Sequence, residues 1–288
     1  MTSSKKHLTI PEQVGLLERR GLQVDDVAAA ERFLLSRNYY RFSGYAREFQ
    51  YDPRAGGNRF IPGTRFEQIV DLMESDEQLR LLFLEALAII EVTARSSFAY
   101  EAGTILGSGA FYLERASYLQ ATPQLDSHLE KIRAELMRPK RPTVARYLDG
   151  DDLTGVPIWV AIELVSFGAF AKMCWYLNDQ NVATRTAASL SIQVTGFTAT
   201  LHAFSALRNA CAHHQQLWNR SFDLAFSVLP KEKRRVPHHK SPGSYPAIVV
   251  IKRWLRAMLG ENDWGDRVDQ LLELRPEFAQ GILVPTMK

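Results

Sequence analysis

Apolar residues recur along most of this chain at the three- and four-residue spacing of helices, so nearly every predicted element is helical. Thr9 can cap a first helix with Pro11 in its first turn, and Gly21 supplies the stop after Arg19 and Arg20. A second helix starts near Asp25 and Asp26 and carries Ala28, Phe33 and Leu34. The run Asn38 to Tyr45, dense in rings and containing Gly44, predicts a tight, packed corner. Residues 52–63 hold two prolines and three glycines and read as a loop or small hairpin. Thr64, with Glu67 three residues on, predicts a capping box opening a long helix to about Tyr100. A weaker helix follows over 124–137, then the basic, proline-broken stretch 138–142. Pro157 opens an apolar helix expected to run to Leu177. A helix from Val194 carries Phe197, Leu201, Phe204 and Leu207 towards the hexapeptide Arg208 to His213. After Pro230 a basic loop precedes two last helices, near 245–259 and 264–274. The expected fold class is all-α: one helical domain over 1–288, without repeats or a clear internal boundary.

Composition changes this picture little. At 288 residues, with 46% hydrophobic and 23% charged, the chain can bury a proper core and is neither disordered nor collagen-like. A formal charge of +3 permits a nucleic-acid partner without demanding one, because phosphate binding depends on clustered charge. Cys174 and Cys211 cannot build a disulfide framework and read as small buried residues. The first residues lack the apolar stretch of a signal peptide, and Glu163 and Lys172 interrupt the most hydrophobic segment. The expectation is a cytoplasmic protein with no membrane partner.

The residues best suited to chemistry are in the hexapeptide. On an ideal helix Asn209 and His213, four apart, share a face, and His202, eleven before His213, roughly shares it. Arg208 and His213 are five apart and diverge by ~140° on a straight helix. They converge only through a bend, a wrapped arginine side chain or the meeting of two copies. Arginine offers a permanently charged fork for phosphate, and histidine moves protons near neutral pH. RNA carries its own nucleophile, so this pair is a minimal kit for cutting it without a metal. Spacing by itself favours the structural alternative: an ion pair for Arg208 and a helix-end cap for His213.

Several further segments, in order, reverse that balance. They are Pro11 to Val14 with Leu17 to Gly21, Asn38 to Tyr45, Phe60 to Phe66, and Asp76 to Arg80. Ile90-Glu91 to Arg95-Ser96 and Pro157 to Val160 with Glu163 and Ser166 to Gly168 follow, then Leu207 to His214 and Leu217 to Arg220. Together they resemble the Abi-like family of abortive-infection proteins (the AbiD/AbiF type), whose C-terminal half is related to HEPN ribonucleases. The resemblance implies helical architecture with a HEPN-like core over roughly 64–222, antiphage defence, and RNA cleavage through the Arg-x-x-x-x-His motif. It also implies a homodimer in which two motifs compose one site.

Under this reading Arg208 clamps the phosphate, His213 is the acid or base, and Asn209 orients His213. Glu91 and Arg95, at ordinary ion-pair spacing, become supporting candidates for orienting Arg208 or His213. His214 could touch substrate or a partner chain, or simply be solvated. Lys231, Lys233, Arg234, Arg235 and Lys240, with Tyr245 nearby, could follow an RNA backbone, although charged loops are commonly just solvated. The histidine doublets 213–214 and 238–239 lack a ligand pattern, so neither metal nor cofactor is expected. Expected partners are RNA and a second copy; restraint by a noncoding RNA or a protein antitoxin is conceivable, and nothing in the residues selects between them. The rival reading is a non-catalytic module that binds RNA or protein.

Overall fold

The computed structural model describes residues 7–53, 55–119, 123–138, 145–221 and 225–286, so the basic stretch after Arg138 lies outside the described residues. Among them are thirteen α-helices and a single two-stranded hairpin, a mainly α architecture as expected. They divide into two compact units, 1–78 and 79–288, each with its own core.

In the first unit α1 (Ile10–Arg19) opens on the expected cap. The Glu12 N–H donates to the Thr9 hydroxyl (3.4 Å), and the Glu12 carboxylate accepts from the Thr9 N–H (2.7 Å). α2 (Val27–Arg37) is capped by Asp26, which accepts from the Ala29 N–H. The aromatic run is not a corner but a helix, α3 (Tyr39–Ala46). The corner is Asn38 alone, left-handed at φ 68°, whose side chain accepts from the Tyr40 N–H (2.7 Å) and so ends one helix and starts the next. Helical spacing then buries Phe42 and Tyr45 and turns Tyr40 outward. Phe42 stacks on Phe66 at 4.6 Å, and the Tyr45 hydroxyl donates to the buried Asp76 (2.5 Å). β1 (Gln50–Asp52) and β2 (Gly57–Phe60) pair antiparallel, the hairpin alternative of the sequence reading.

α4 (Phe66–Leu106) starts in this unit and continues into the second, six residues beyond the expected end. Thr64 does not cap it. With Phe66 the first helical residue, Thr64 lies too early, and its hydroxyl donates back to the Ile61 carbonyl (2.7 Å).

The second unit adds α5 (Leu125–Leu136), α6 (Ile158–Leu164), α7 (Phe167–Tyr176), α8 (Gln180–Ser189) and α9 (Phe197–Ala212). α10 (Pro230–Lys233), α11 (Ser244–Leu259), α12 (Trp264–Leu274) and α13 (Pro276–Leu283) complete it. Where one helix was expected over 157–177 there are two. The break is made by Ser166, whose N–H donates to the buried Glu135 carboxylate (2.7 Å) instead of continuing α6, while its hydroxyl caps α7. α8 and α13 were not anticipated, although Asp179 caps the former and Pro276 opens the latter. Large rings fill the core: Phe197 lies parallel to Trp254 at 5.3 Å, and Phe98 meets Phe170 edge-on at 5.4 Å.

Candidate functional site

The site is built outward from the break between α6 and α7. In an unbroken helix the Ile162 carbonyl would accept from the Ser166 N–H, but that donor is committed to Glu135. The freed Ile162 carbonyl accepts instead from the Arg95 guanidinium, which α4 delivers into the core with only 7% of its side chain exposed. Arg95 then uses Nε and Nη2 on one oxygen of Glu91, a turn earlier on α4, at 3.1 and 2.5 Å. Its guanidinium lies 5.3 Å from the centre of the Phe170 ring.

The other Glu91 oxygen faces α9. Arg208 Nε lies 3.7 Å from it, an ion pair without a hydrogen bond, and the Arg208 guanidinium sits 5.8 Å from the Phe167 ring centre. Phe167 and Phe170 stack on each other at 6.2 Å, so two adjacent rings of α7 underlie the two arginines. Arg208 makes no hydrogen bond among the described residues, and its side chain is 30% exposed. The Nη1 and Nη2 donors of that fork therefore remain unspent. Three predicted residues, Glu91, Arg95 and Arg208, are thus brought together.

His213 stands apart from that network. It is the C-cap of α9, and its backbone N–H donates to the Asn209 carbonyl (2.9 Å). The next residues close the helix in a Schellman turn: the Gln215 N–H reaches the Ala210 carbonyl, the His214 N–H reaches the Cys211 carbonyl, and His214 is left-handed at φ 55°. Glycine is the usual residue there, so His214 carries roughly 1–2 kcal/mol of backbone strain. Its position is explained by ending the helix, beside any contact its exposed ring could make. Buried Arg80 holds this turn by donating to the Gln215 carbonyl (3.3 Å). Beyond it the chain is fixed: Ser244 donates to the Leu217 carbonyl, and the Asn219 amide donates to the Thr286 hydroxyl (2.8 Å). The Asn209 and His213 side chains are exposed on one face, one turn apart, without a hydrogen-bond partner among the described residues. His202 does not join them. It is half-buried against Trp175 at 5.3 Å, and burial, then the Lys172 charge, pushes its pKa down.

The basic segment is a short helix followed by a loop. Glu232 in α10 accepts from the Leu229 N–H and pairs with Arg253 (2.6 Å). Lys231, Lys233, Arg234, Arg235 and Lys240 are all exposed, and none forms an ion pair among the described residues. Lys233, His238 and His239 border a groove of about 470 Å³, and His239 leans on Tyr245 at 5.3 Å. Among the described residues no three His, Cys, Asp or Glu side chains gather as a metal site, and no helix is long and apolar enough to cross a membrane. Arg80 and Phe167 lie in segments that carry the family resemblance but were given no role there, and Phe170 was not singled out; Phe167 and Phe170 differ by three residues on a helix beside Ser166, which was the available signal.

Fold and site together define a mainly helical protein that presents a partly exposed arginine, paired with a half-buried glutamate that a buried arginine holds, near an exposed asparagine and histidine at a helix end. The chain belongs to the Abi-like family: the family model described as Abi-like protein matches residues 32–219, a span that ends just past this motif. The family links it to abortive infection and phage defence. Neither a curated protein nor a solved structure matches the sequence.

Proposed function

We propose that this Abi-like protein is a metal-independent endoribonuclease of abortive infection, acting as a homodimer with a composite site. The observation that carries the reading is the unspent fork of Arg208. A guanidinium tethered at Nε by Glu91 and floored by Phe167 keeps two donors for a phosphate, and phosphate is the group that fork geometry suits. Asn209 and His213 add an amide and an imidazole open to solvent.

His213 would take the proton of the ribose 2′-hydroxyl as that oxygen attacks the adjacent phosphorus, or return a proton to the departing 5′-oxygen. Arg208 would stabilise the extra charge on the phosphorane-like transition state. The bond formed is O2′–P and the bond broken is P–O5′, leaving a 2′,3′-cyclic phosphate and a 5′-hydroxyl. One imidazole cannot occupy both sides of the phosphorus, so a second motif from a second copy supplies the other proton transfer. An exposed stripe on α4, Leu81, Ala88, Val92 and Tyr100 at helical spacing and running past Glu91, supports that association. The exposed cations of 231–240 would follow the RNA backbone.

The test is incubation of the purified protein with total RNA in chelator, beside His213→Ala and Arg208→Ala. The histidine variant should cut roughly 10²–10⁴-fold more slowly. Unchanged cleavage in both variants would refute the assignment. One observation favours a second reading: among the described residues the His213 side chain makes no hydrogen bond or ion pair with the Arg208 network. A non-catalytic RNA-binding module would give salt-sensitive binding without products, and light scattering would find no second copy.

A further inference from the structure

The first unit holds a groove of about 620 Å³ between α1, α3 and β2, remote in sequence from the motif on α9. Its volume falls in the usual range for small-molecule sites. Two guanidiniums, Arg20 and Arg47, border it, and among the described residues no carboxylate does. Neither arginine makes an ion pair among the described residues: Arg20 donates to the Tyr39 hydroxyl (3.2 Å) and Arg47 to the Pro53 carbonyl (3.4 Å). Two positive charges left without a counter-charge beside a concave surface call for an anionic occupant.

The remaining lining says what the anion is attached to. The rings of Tyr39, Tyr40 and Phe60 line the groove, and Tyr40 is 86% exposed, an unusual position for so large an apolar face. Side-chain amides from Gln13, Gln50 and Asn58 share the wall. Gln13 spends its Nε2 donor on the Leu8 carbonyl (2.9 Å), which leaves Oε1 buried without a hydrogen-bond partner and able to accept from a ligand N–H. A lipid or plain acyl anion would use the arginines and waste the amides. A flat heterocycle bearing a phosphate uses all three features.

From this convergence we infer that the groove binds a nucleotide, its base on Tyr40 and within reach of the Gln13 acceptor, its phosphate between Arg20 and Arg47. The ligand is a free nucleoside monophosphate or the 5′-phosphorylated end of an RNA strand. This site does not depend on the Arg208–His213 reading and stands if that fails.

Calorimetric titration of the full chain tests it. The probes are the four nucleoside monophosphates, inorganic phosphate, and a 2′-O-methyl RNA decamer with a 5′-phosphate or a 5′-hydroxyl; the methyl group prevents cleavage by 2′-oxygen attack. A monophosphate or the phosphorylated decamer should saturate one site, with inorganic phosphate binding at least ~10-fold more weakly. Tyr40→Ala should weaken binding ~5- to 150-fold, the range for a lost base stack, and Arg47→Met about 10-fold. Both side chains are exposed, so their melting temperatures should match the parent's. Saturation by monophosphates identifies a free nucleotide, and saturation by the phosphorylated decamer alone identifies an RNA end. Equal affinity for inorganic phosphate, absence of saturation by every probe, or indifference to both substitutions overturns the inference.

Discussion

Glu91→Ala is the sharpest perturbation of the clamp, because one carboxylate serves two guanidiniums. It accepts from Arg95 at 2.5 and 3.1 Å and faces Arg208 Nε at 3.7 Å. At an effective dielectric of 20, the 3.7 Å pair alone has about 4.5 kcal/mol of direct attraction, most of it offset by desolvating both charges. The larger effect is what removal leaves behind: Arg95, 7% exposed, whose remaining partners among the described residues are the Ile162 carbonyl and the Phe170 ring. Breaking a buried pair costs about 3–5 kcal/mol, and Glu91 is 19% exposed, so about 2–3 kcal/mol is expected. For a unit of this size that lowers the melting temperature by roughly 4–12 °C. Glu91→Gln keeps an acceptor for Arg95 but loses the charge facing Arg208, and should cost about 1 kcal/mol. If Glu91 positions Arg208, both variants lose kcat at least tenfold with little change in KM, although their stabilities differ. Scanning calorimetry and single-turnover cleavage read the two quantities separately. A melting temperature for Glu91→Ala within 1 °C of the parent would refute the clamp. Cleavage that tracks stability instead of charge would refute the positioning role.

Two more predictions concern packing that the site relies on. His128 is buried between Tyr118 and Tyr176, perpendicular to both rings, with no hydrogen bond to either ring nitrogen among the described residues, and burial, then the charges of Lys172 and Lys131, lowers its pKa from 6.5 to about 4. The unfolded chain therefore binds a proton that the folded chain refuses between those values, so stability is full above 6.5 and is lost as pH falls; by pH 5 the loss is about 2 kcal/mol. Urea unfolding at pH 7 and 5 should show that difference shrinking in His128→Leu, and equal pH slopes would contradict it. Gly281 in α13 faces the indole of Trp218, just past the motif, where an added Cβ would lie 2.6 Å from Cε2 and 2.7 Å from Cδ1. Alanine normally stabilises a helix by ~1 kcal/mol over glycine, so a Gly281→Ala variant that melts higher would show this contact to be slack; the expected result is a loss of about 1–3 kcal/mol.

Helical periodicity made most of this fold legible, and the exceptions share a physical cause. Each is a place where one polar atom takes a partner that the apolar rhythm does not register, near in the chain or far. The 157–177 run keeps helical apolar spacing around Glu163 and Lys172, and it is the Glu135 carboxylate, 31 residues away, that takes the Ser166 N–H and splits it. The 38–45 run looks like a corner because its rings are crowded, yet a single left-handed Asn38 makes the turn and frees the rest to coil. Thr64 matches a capping box in spacing, but its hydroxyl is spent on Ile61.

The clamp shows the same limit at the site. Glu91 and Arg95 are four apart, and nothing in that spacing distinguishes an exposed surface pair from a buried one. What distinguishes them is the Ile162 carbonyl, available to Arg95 only because Ser166 has left it. The chain of dependence runs from Glu135 through Ser166 and Ile162 to Arg95, then Glu91, then Arg208. A carboxylate on α5 therefore bears on how the arginine on α9 is held, though the two share no hydrogen bond or ion pair among the described residues. The divergence of ~140° between Arg208 and His213 fits this arrangement. One side of α9 is committed to the clamp, and the side bearing Asn209 and His213 is left facing solvent, where a second copy or an RNA strand can reach it.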